Sequence, residues 1–170
     1  MNDKNNIINI FKKSISSTVR AISENSDLEI SYGSISKKKT ENKIILPIPS
    51  LKFPEFEKNE IRGKADIIAL KIRYHDDKLH KIKSPKSPNG KKIFDSIENA
   101  RFQSIGIKKF PGISKNISKS IESKYELKNI DSKKDVAIED ATQLIIQEYF
   151  TEKKLSKKLN QITNIWRNDI

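Results

Sequence analysis

Residues 62–112 read RGKADIIALKIRYHDDKLH (Arg62–His80), KIKSPKSPNG (Lys81–Gly90) and KKIFDSIENARFQSIGIKKFPG (Lys91–Gly112). Ile61, Ala65, Ile68, Ile72 and Leu79 recur at helical spacing, so the first segment reads as a helix with one apolar face. Arg62, Asp66, Arg73, Asp77 and His80 recur at the same spacing roughly 100° away, a charged stripe beside the apolar one. The third segment repeats the arrangement, with Ile93, Ile97 and Ala100 facing a core and Asp95, Glu98 and Arg101 flanking them. Ser, Pro, Asn and Gly between the two favour a turn, so two antiparallel helices are expected.

Both histidines of the chain lie here. On one continuous helix His75 and His80 would point about 140° apart and could not share a metal ion. Asp76 and Asp77 would then be the carboxylates within reach of His80, and a metal site would require the helix to break near Asp76. The His75-Asp76 pair is similar to the dyad of HD-type phosphohydrolases in those two residues alone, and no histidine precedes it.

Arg62, Arg73 and Arg101 stand out in a chain that otherwise uses lysine. Arginine is favoured where a planar fork must meet a carboxylate, and Asp66, Asp95 and Glu98 are within helical reach. Arg62, Asp66, Arg73, His75, Asp76, His80, Asp95, Glu98 and Arg101 are therefore the candidate structural or docking network, with no catalytic, cofactor-binding or metal-ligating role assigned. P-loop, G-x-G-x-x-G and G-x-S-x-G motifs are absent from the sequence.

The wider chain supports a predominantly helical fold of roughly six helices with a small two-stranded β-hairpin near the N-terminus. Ile8, Phe11, Ile15, Val19 and Ile22 mark a helix from Asp3 to about Glu24. Leu28–Tyr32 and Lys43–Leu46 read as short strands on either side of a lysine-rich loop, 33–42, which is expected to turn a hairpin. Three prolines hold 47–56 extended, and Ile48, Leu51, Phe53 and Phe56 suggest a strap against the core. Ser114 is positioned to cap a helix from Lys115 to about Tyr125. Asp135 is positioned to cap one that presents Ile138, Ala141, Ile145 and Tyr149. Thr151 is positioned to cap the last, with Leu155, Leu159, Ile162 and Trp166 along one side.

At 170 residues the chain is long enough for a real core and is expected to form one domain. There is no cysteine, which excludes disulfides and thiolate metal sites. No apolar run reaches membrane-spanning length, and a cytoplasmic location is expected. The net charge of +12 invites a nucleic-acid interpretation. Against it, lysines are spread along the whole chain and aromatics make up only 7% of it, too few for stacking on bases.

The motifs Arg62-Gly63-x-Ala65-Asp66-x-x-Ala69-Leu70, His75-Asp76-x-x-Leu79-His80, Ile93-Phe94-Asp95-x-x-Glu98-x-Ala100-Arg101 and Ile105-Gly106 with Gly112 together resemble the amino-terminal region of the CobT subunit of aerobic cobaltochelatase. Thr18–Ile22 with Leu28–Ile30 resembles that family's opening helix and strand, and Ile165–Arg167 the end of its first domain. The resemblance implies an interaction domain in the complex that inserts cobalt into the corrin ring during cobalamin synthesis. Its implied partners are a CobS-like AAA+ ATPase and a CobN-like large subunit, within an oligomeric assembly that uses ATP, Mg and Co(II). The family's acidic segment and its von Willebrand A domain with D-x-S-x-S have no counterpart in these residues. The alternatives are a freestanding basic nucleic-acid binder and a metal-dependent enzyme centred on His75 and His80.

Overall fold

The structure, a computed structural model, describes residues 2–33, 42–126 and 128–170. Among these, seven helices carry the fold, and none is long and apolar enough to cross a membrane.

Helix α1 (Asn2–Ser23) buries the stripe its periodicity dictates, from Ile8 through Phe11, Ile15 and Val19 to Ile22. It stops where Glu24 adopts a left-handed backbone (φ 53°). Strands β1 (Glu29–Tyr32) and β2 (Lys43–Leu46) fall where the sequence places them, but they pair in parallel rather than as a hairpin. The parallel register sets Ile30 beside Ile44 and Tyr32 beside Leu46, so one face carries four side chains that pack on the core. An in-register hairpin would instead have set Tyr32 against Lys43. Most of the lysine-rich loop expected to turn that hairpin, 34–41, lies outside the described residues. Arg20 Nε donates to Leu28 O at 3.0 Å and Tyr32 Oη to Lys12 O at 3.0 Å, tying the strands to α1.

In the strap Phe53 enters the core, edge-on to Phe11 at 4.8 Å between ring centres, and Pro49 is buried as well. Ile48 and Leu51 remain exposed, and so does Phe56, already inside α2 (Glu55–Tyr74). Helix α2 buries Ile61, Gly63, Ala65, Asp66, Ala69 and Leu70, a face rotated from the one expected. Ile72 is exposed, and Leu79 belongs to a separate short helix, α3 (Asp77–Lys83), which buries none of its residues. This extra helix is why the count is seven rather than six.

Helix α4 (Pro88–Lys109) starts from Ser87, whose hydroxyl accepts from Gly90 N, with proline at its first turn. Its buried face holds Ala100 as expected, but also Phe102, Gln103, Gly106 and Ile107, while Ile97 is exposed. Helix α5 (Pro111–Lys124) begins four residues before the expected start, because Pro111 supplies the first turn and Ser114 falls inside it. Asp135 does not cap α6 (Ile138–Thr151). Its carboxylate accepts from Ser132 N and Oγ at 2.8 Å each, and Ala137 holds the cap position. Tyr149 points outward, and Thr142, Leu144 and Gln147 join Ala141 in the buried face. Ser156, not Thr151, caps α7 (Lys157–Asn164), since α6 continues through Thr151 and ends at a left-handed Glu152.

Two glycines set the helix packing. A Cβ on Gly63 would lie 2.2 Å from Ser120 Cβ and 2.7 Å from Asn116 O, so only glycine lets α2 and α5 approach this closely. A Cβ on Gly106 would meet Leu70 at 2.3 Å, which fixes the α2–α4 contact. The larger apolar core lies among α1, the two strands, α2, part of α4 and the start of α5. A smaller one gathers Tyr125, Val136, Ala141, Leu144, Leu159 and Ile162, with Trp166 Nε1 donating to Val136 O at 3.0 Å above it.

Candidate functional site

The backbone breaks at His75 and Asp76, both extended in φ and ψ, because the Asp76 carboxylate accepts from Lys78 N and Leu79 N at 2.9 Å. An aspartate at this position satisfies two orphan amides of α3 and starts a new helix rather than continuing α2. Those hydrogen bonds hold its own carboxyl below the ordinary range. The expected separation of the two histidines on one helix is thereby overturned. Their rings meet edge-to-face with centres 4.7 Å apart.

Each histidine is held by a carboxylate of α4 rather than by Asp76 or Asp77 at helical spacing. His75 Nδ1 lies 2.7 Å from Glu98 Oε1, and His80 Nε2 lies 2.7 Å from Asp95 Oδ1. An ionised carboxylate only accepts, so these ring nitrogens carry the hydrogens. Asp77 Oδ1 lies 3.3 Å from His75 Nε2, on the other side of the ring. The His75 side chain is 4% exposed, the most enclosed ionisable group of the corner.

Glu98 is gripped in turn by Arg101. Arg101 Nε donates to Oε2 and Nη2 to Oε1, both at 2.7 Å, while Nη2 also donates to Tyr74 O at 2.6 Å. The fork matches the carboxylate in plane and ties the last turn of α2 to the middle of α4. Arg101 and His75 together hold the Glu98 carboxyl at about 2, against partial burial that would raise it. Phe94 stacks on His80 at 4.7 Å and Phe102 lies 6.2 Å from His75, closing the apolar side of the corner. On the open side Lys71, Lys91 and Asn99 join the histidines and carboxylates around a solvent-open hollow of about 310 Å³.

The remaining candidates lie elsewhere. Arg62 places its guanidinium 5.2 Å from the centre of the Phe11 ring. Asp66 faces α5, buried, accepting from Asn116 Nδ2 at 2.7 Å, and burial pushes its carboxyl up to about 6. Arg73 turns to the end of α1, donating to Ile22 O at 3.1 Å and to Glu24. Of the nine residues, His75, Asp76, His80, Asp95, Glu98 and Arg101 come together, while Arg62, Asp66 and Arg73 do not join them.

Tyr74 and Phe102 were not marked from sequence, and Phe94 was marked only as part of the family motif, although Phe94 and Phe102 stand beside marked residues of α4. Among the described residues, no group of three or more histidine, aspartate or glutamate side chains is placed to hold one metal ion. The corner can orient imidazoles and bury charge between helices. No solved structure matches the chain. A family model described as "Cobalamin biosynthesis protein CobT" matches residues 6–170.

Proposed function

The chain belongs to the CobT family of cobalamin biosynthesis proteins, and from that premise we propose that it is an interaction and assembly domain of the cobalt-inserting chelatase, without chemistry of its own. In this reading the corrin ring is handled by a CobN-like large subunit and ATP with Mg by a CobS-like AAA+ ATPase. Co(II) is a substrate of the complex. The chain contributes surface and rigidity to the assembly.

One observation carries the non-catalytic part. The ionisable groups of the corner are engaged with one another: Glu98 with Arg101 and His75, His80 with Asp95, and Asp76 with the amides of α3. Groups committed in this way brace an interhelical corner, whereas a general base or nucleophile needs a free face toward substrate. The hollow beside them is open, and at about 310 Å³ it stands at the lower end for enclosing a small molecule, well short of a tetrapyrrole. Sequence motifs for nucleotide binding are also missing.

Co-purification with the CobS-like and CobN-like subunits tests the reading. Stable association is expected, with no ATP turnover by the 170-residue chain alone. ATP hydrolysis by the isolated chain that a point mutation in the corner abolishes would overturn it.

A further inference from the structure

The stretch KLHKIKSPK, residues 78–86, carries four lysines and no acidic residue. Lys78, Lys81, Lys83 and Lys86 are all exposed, and none makes an ion pair among the described residues. Interleaved with them, Leu79 is 54% and Ile82 77% exposed. Within α3 only His80 is partly covered by the rest of the molecule, as is Ser84 just after it, so this apolar pair is uncovered on a helix that buries nothing. The acidic residues just before it are already engaged, Asp76 with the backbone amides of α3 and Asp77 beside His75.

Resting on the reading of this chain as an interaction domain, we propose that the outer face of α3 and the link after it, Lys78–Lys86, is the docking site for an acidic protein segment that carries apolar side chains. The charge complement of four unpaired lysines is a run of aspartates or glutamates, and lysine ammoniums steer such a segment without demanding one geometry. Leu79 and Ile82 give that segment something to bury, which lysines alone do not. Nucleic acid fits less well, because this face has no arginine for bidentate contacts and no exposed aromatic for stacking. A lipid surface also fits less well, because a two-turn helix with two apolar residues offers little to insert. The clamp beneath α3, made by His80 with Asp95 and by Phe94, holds the face in one orientation.

The test uses the full chain and a fluorescently labelled peptide of about 20 residues, glutamate- and aspartate-rich with leucine at every fourth position, matching a helical apolar stripe. Anisotropy should give a dissociation constant on the order of micromolar at about 50 mM salt, weakening about tenfold or more at about 300 mM. Reversing Lys78, Lys81, Lys83 and Lys86 to glutamate should abolish binding. Reversing Lys13, Lys52, Lys153 and Lys154, also exposed and outside any described ion pair, changes the net charge equally and should weaken it only a few-fold. Leu79→Ser with Ile82→Ser should remove the part of the binding that survives high salt. Circular dichroism melts confirm that each variant is folded, and a Lys→Gln set replaces any that is not.

Equal loss from both reversal sets would overturn the proposal, since net charge and not this face would then be responsible. Tighter binding of phosphatidylglycerol vesicles or of an oligothymidylate through the same residues would overturn it in favour of lipid or nucleic acid. The peptide assay contains no CobS-like or CobN-like subunit, so its failure leaves the assembly reading standing, and loss of co-purification would sink the assembly reading without touching this one.

Discussion

Replacing Asp66 by asparagine should stabilise the protein at neutral pH, and the gain should vanish in mild acid. Asp66 is only 3% exposed between α2 and α5, and its carboxyl is raised from 3.8 to about 6, chiefly by burial. The hydrogen bond from Asn116 and the charge of Arg62 oppose that shift without cancelling it. Between about pH 4 and 6 the folded chain therefore holds more protons at this site than the unfolded chain, and stability falls as pH rises through that window. Above it the ionised carboxylate is fully penalised in the fold. A shift of about two units corresponds to a ceiling of about 3 kcal/mol, and relaxation around the site reduces the expected effect to roughly 1–3 kcal/mol. Asparagine keeps the shape and still offers a carbonyl oxygen to Asn116 Nδ2. Urea unfolding followed by circular dichroism at a series of pH values should move the neutral-pH midpoint of Asp66→Asn up by roughly 0.5–1.5 M, given a slope of about 2 kcal/mol/M. The two curves should converge at about pH 4. A variant no more stable than the parent at neutral pH, or a difference that does not change with pH, would refute the argument that burial raises this carboxyl.

Glu98 should behave in the opposite sense. Its carboxyl is depressed from 4.5 to about 2, so the stability it lends is present above the unfolded value and is lost as pH falls through the folded one; Glu98→Gln should therefore lose less stability than the parent on acidification, as read from paired acid titrations. Glu98→Ala leaves His75 and Arg101 without their shared partner and should lower stability by about 2–4 kcal/mol in thermal melts, whereas a loss below about 0.5 kcal/mol would mean the corner is not a brace. Gly63→Ala should cost about 1–3 kcal/mol in urea unfolding and more than Gly106→Ala, because its new methyl meets the Asn116 backbone as well as Ser120, while the other meets a leucine side chain that can rotate. His80→Ala should raise hydrogen exchange across 77–83 by about tenfold or more while changing the global melt little; unaltered protection there would show that the imidazole does not hold α3 down.

Helix identity was legible because periodicity reports it, and the stripe Ile8–Phe11–Ile15–Val19–Ile22 is buried as the spacing dictates. The break at His75–Asp76 was not, since helical periodicity runs on through Leu79 and the capping power of Asp76 competes with it only once α4 supplies Asp95 and Glu98. The same long-range dependence hid the parallel pairing of β1 with β2, because strand direction follows from which side chains the core accepts. Three expected caps fall elsewhere, for two reasons. Asp135 and Thr151 each had a nearer hydrogen-bond partner than the helix expected of them, Ser132 in one case and Gln147 O in the other, and Ser114 was overtaken by Pro111. Of the candidate site, residue types were readable but partners were not. Arg101–Glu98 is a local i, i+3 pair, whereas His75–Glu98 and His80–Asp95 exist only after α4 folds back along α2.

The two apolar cores are joined by unlike materials. Ile121 of α5 packs against both, a greasy bearing shared by the two halves. Between α4 and α6, by contrast, the seam holds Gln103, Ser104, Thr142 and Gln147 in its interior, with Gln143 Nε2 donating to Gln103 Oε1 at 3.1 Å. Amide and hydroxyl groups regain partners in water when such a seam parts, so opening it costs less per unit area than parting a wall of leucine. Local opening is therefore expected first at that seam, and hydrogen exchange that is faster along α6 than along the buried face of α2 is the result that checks it.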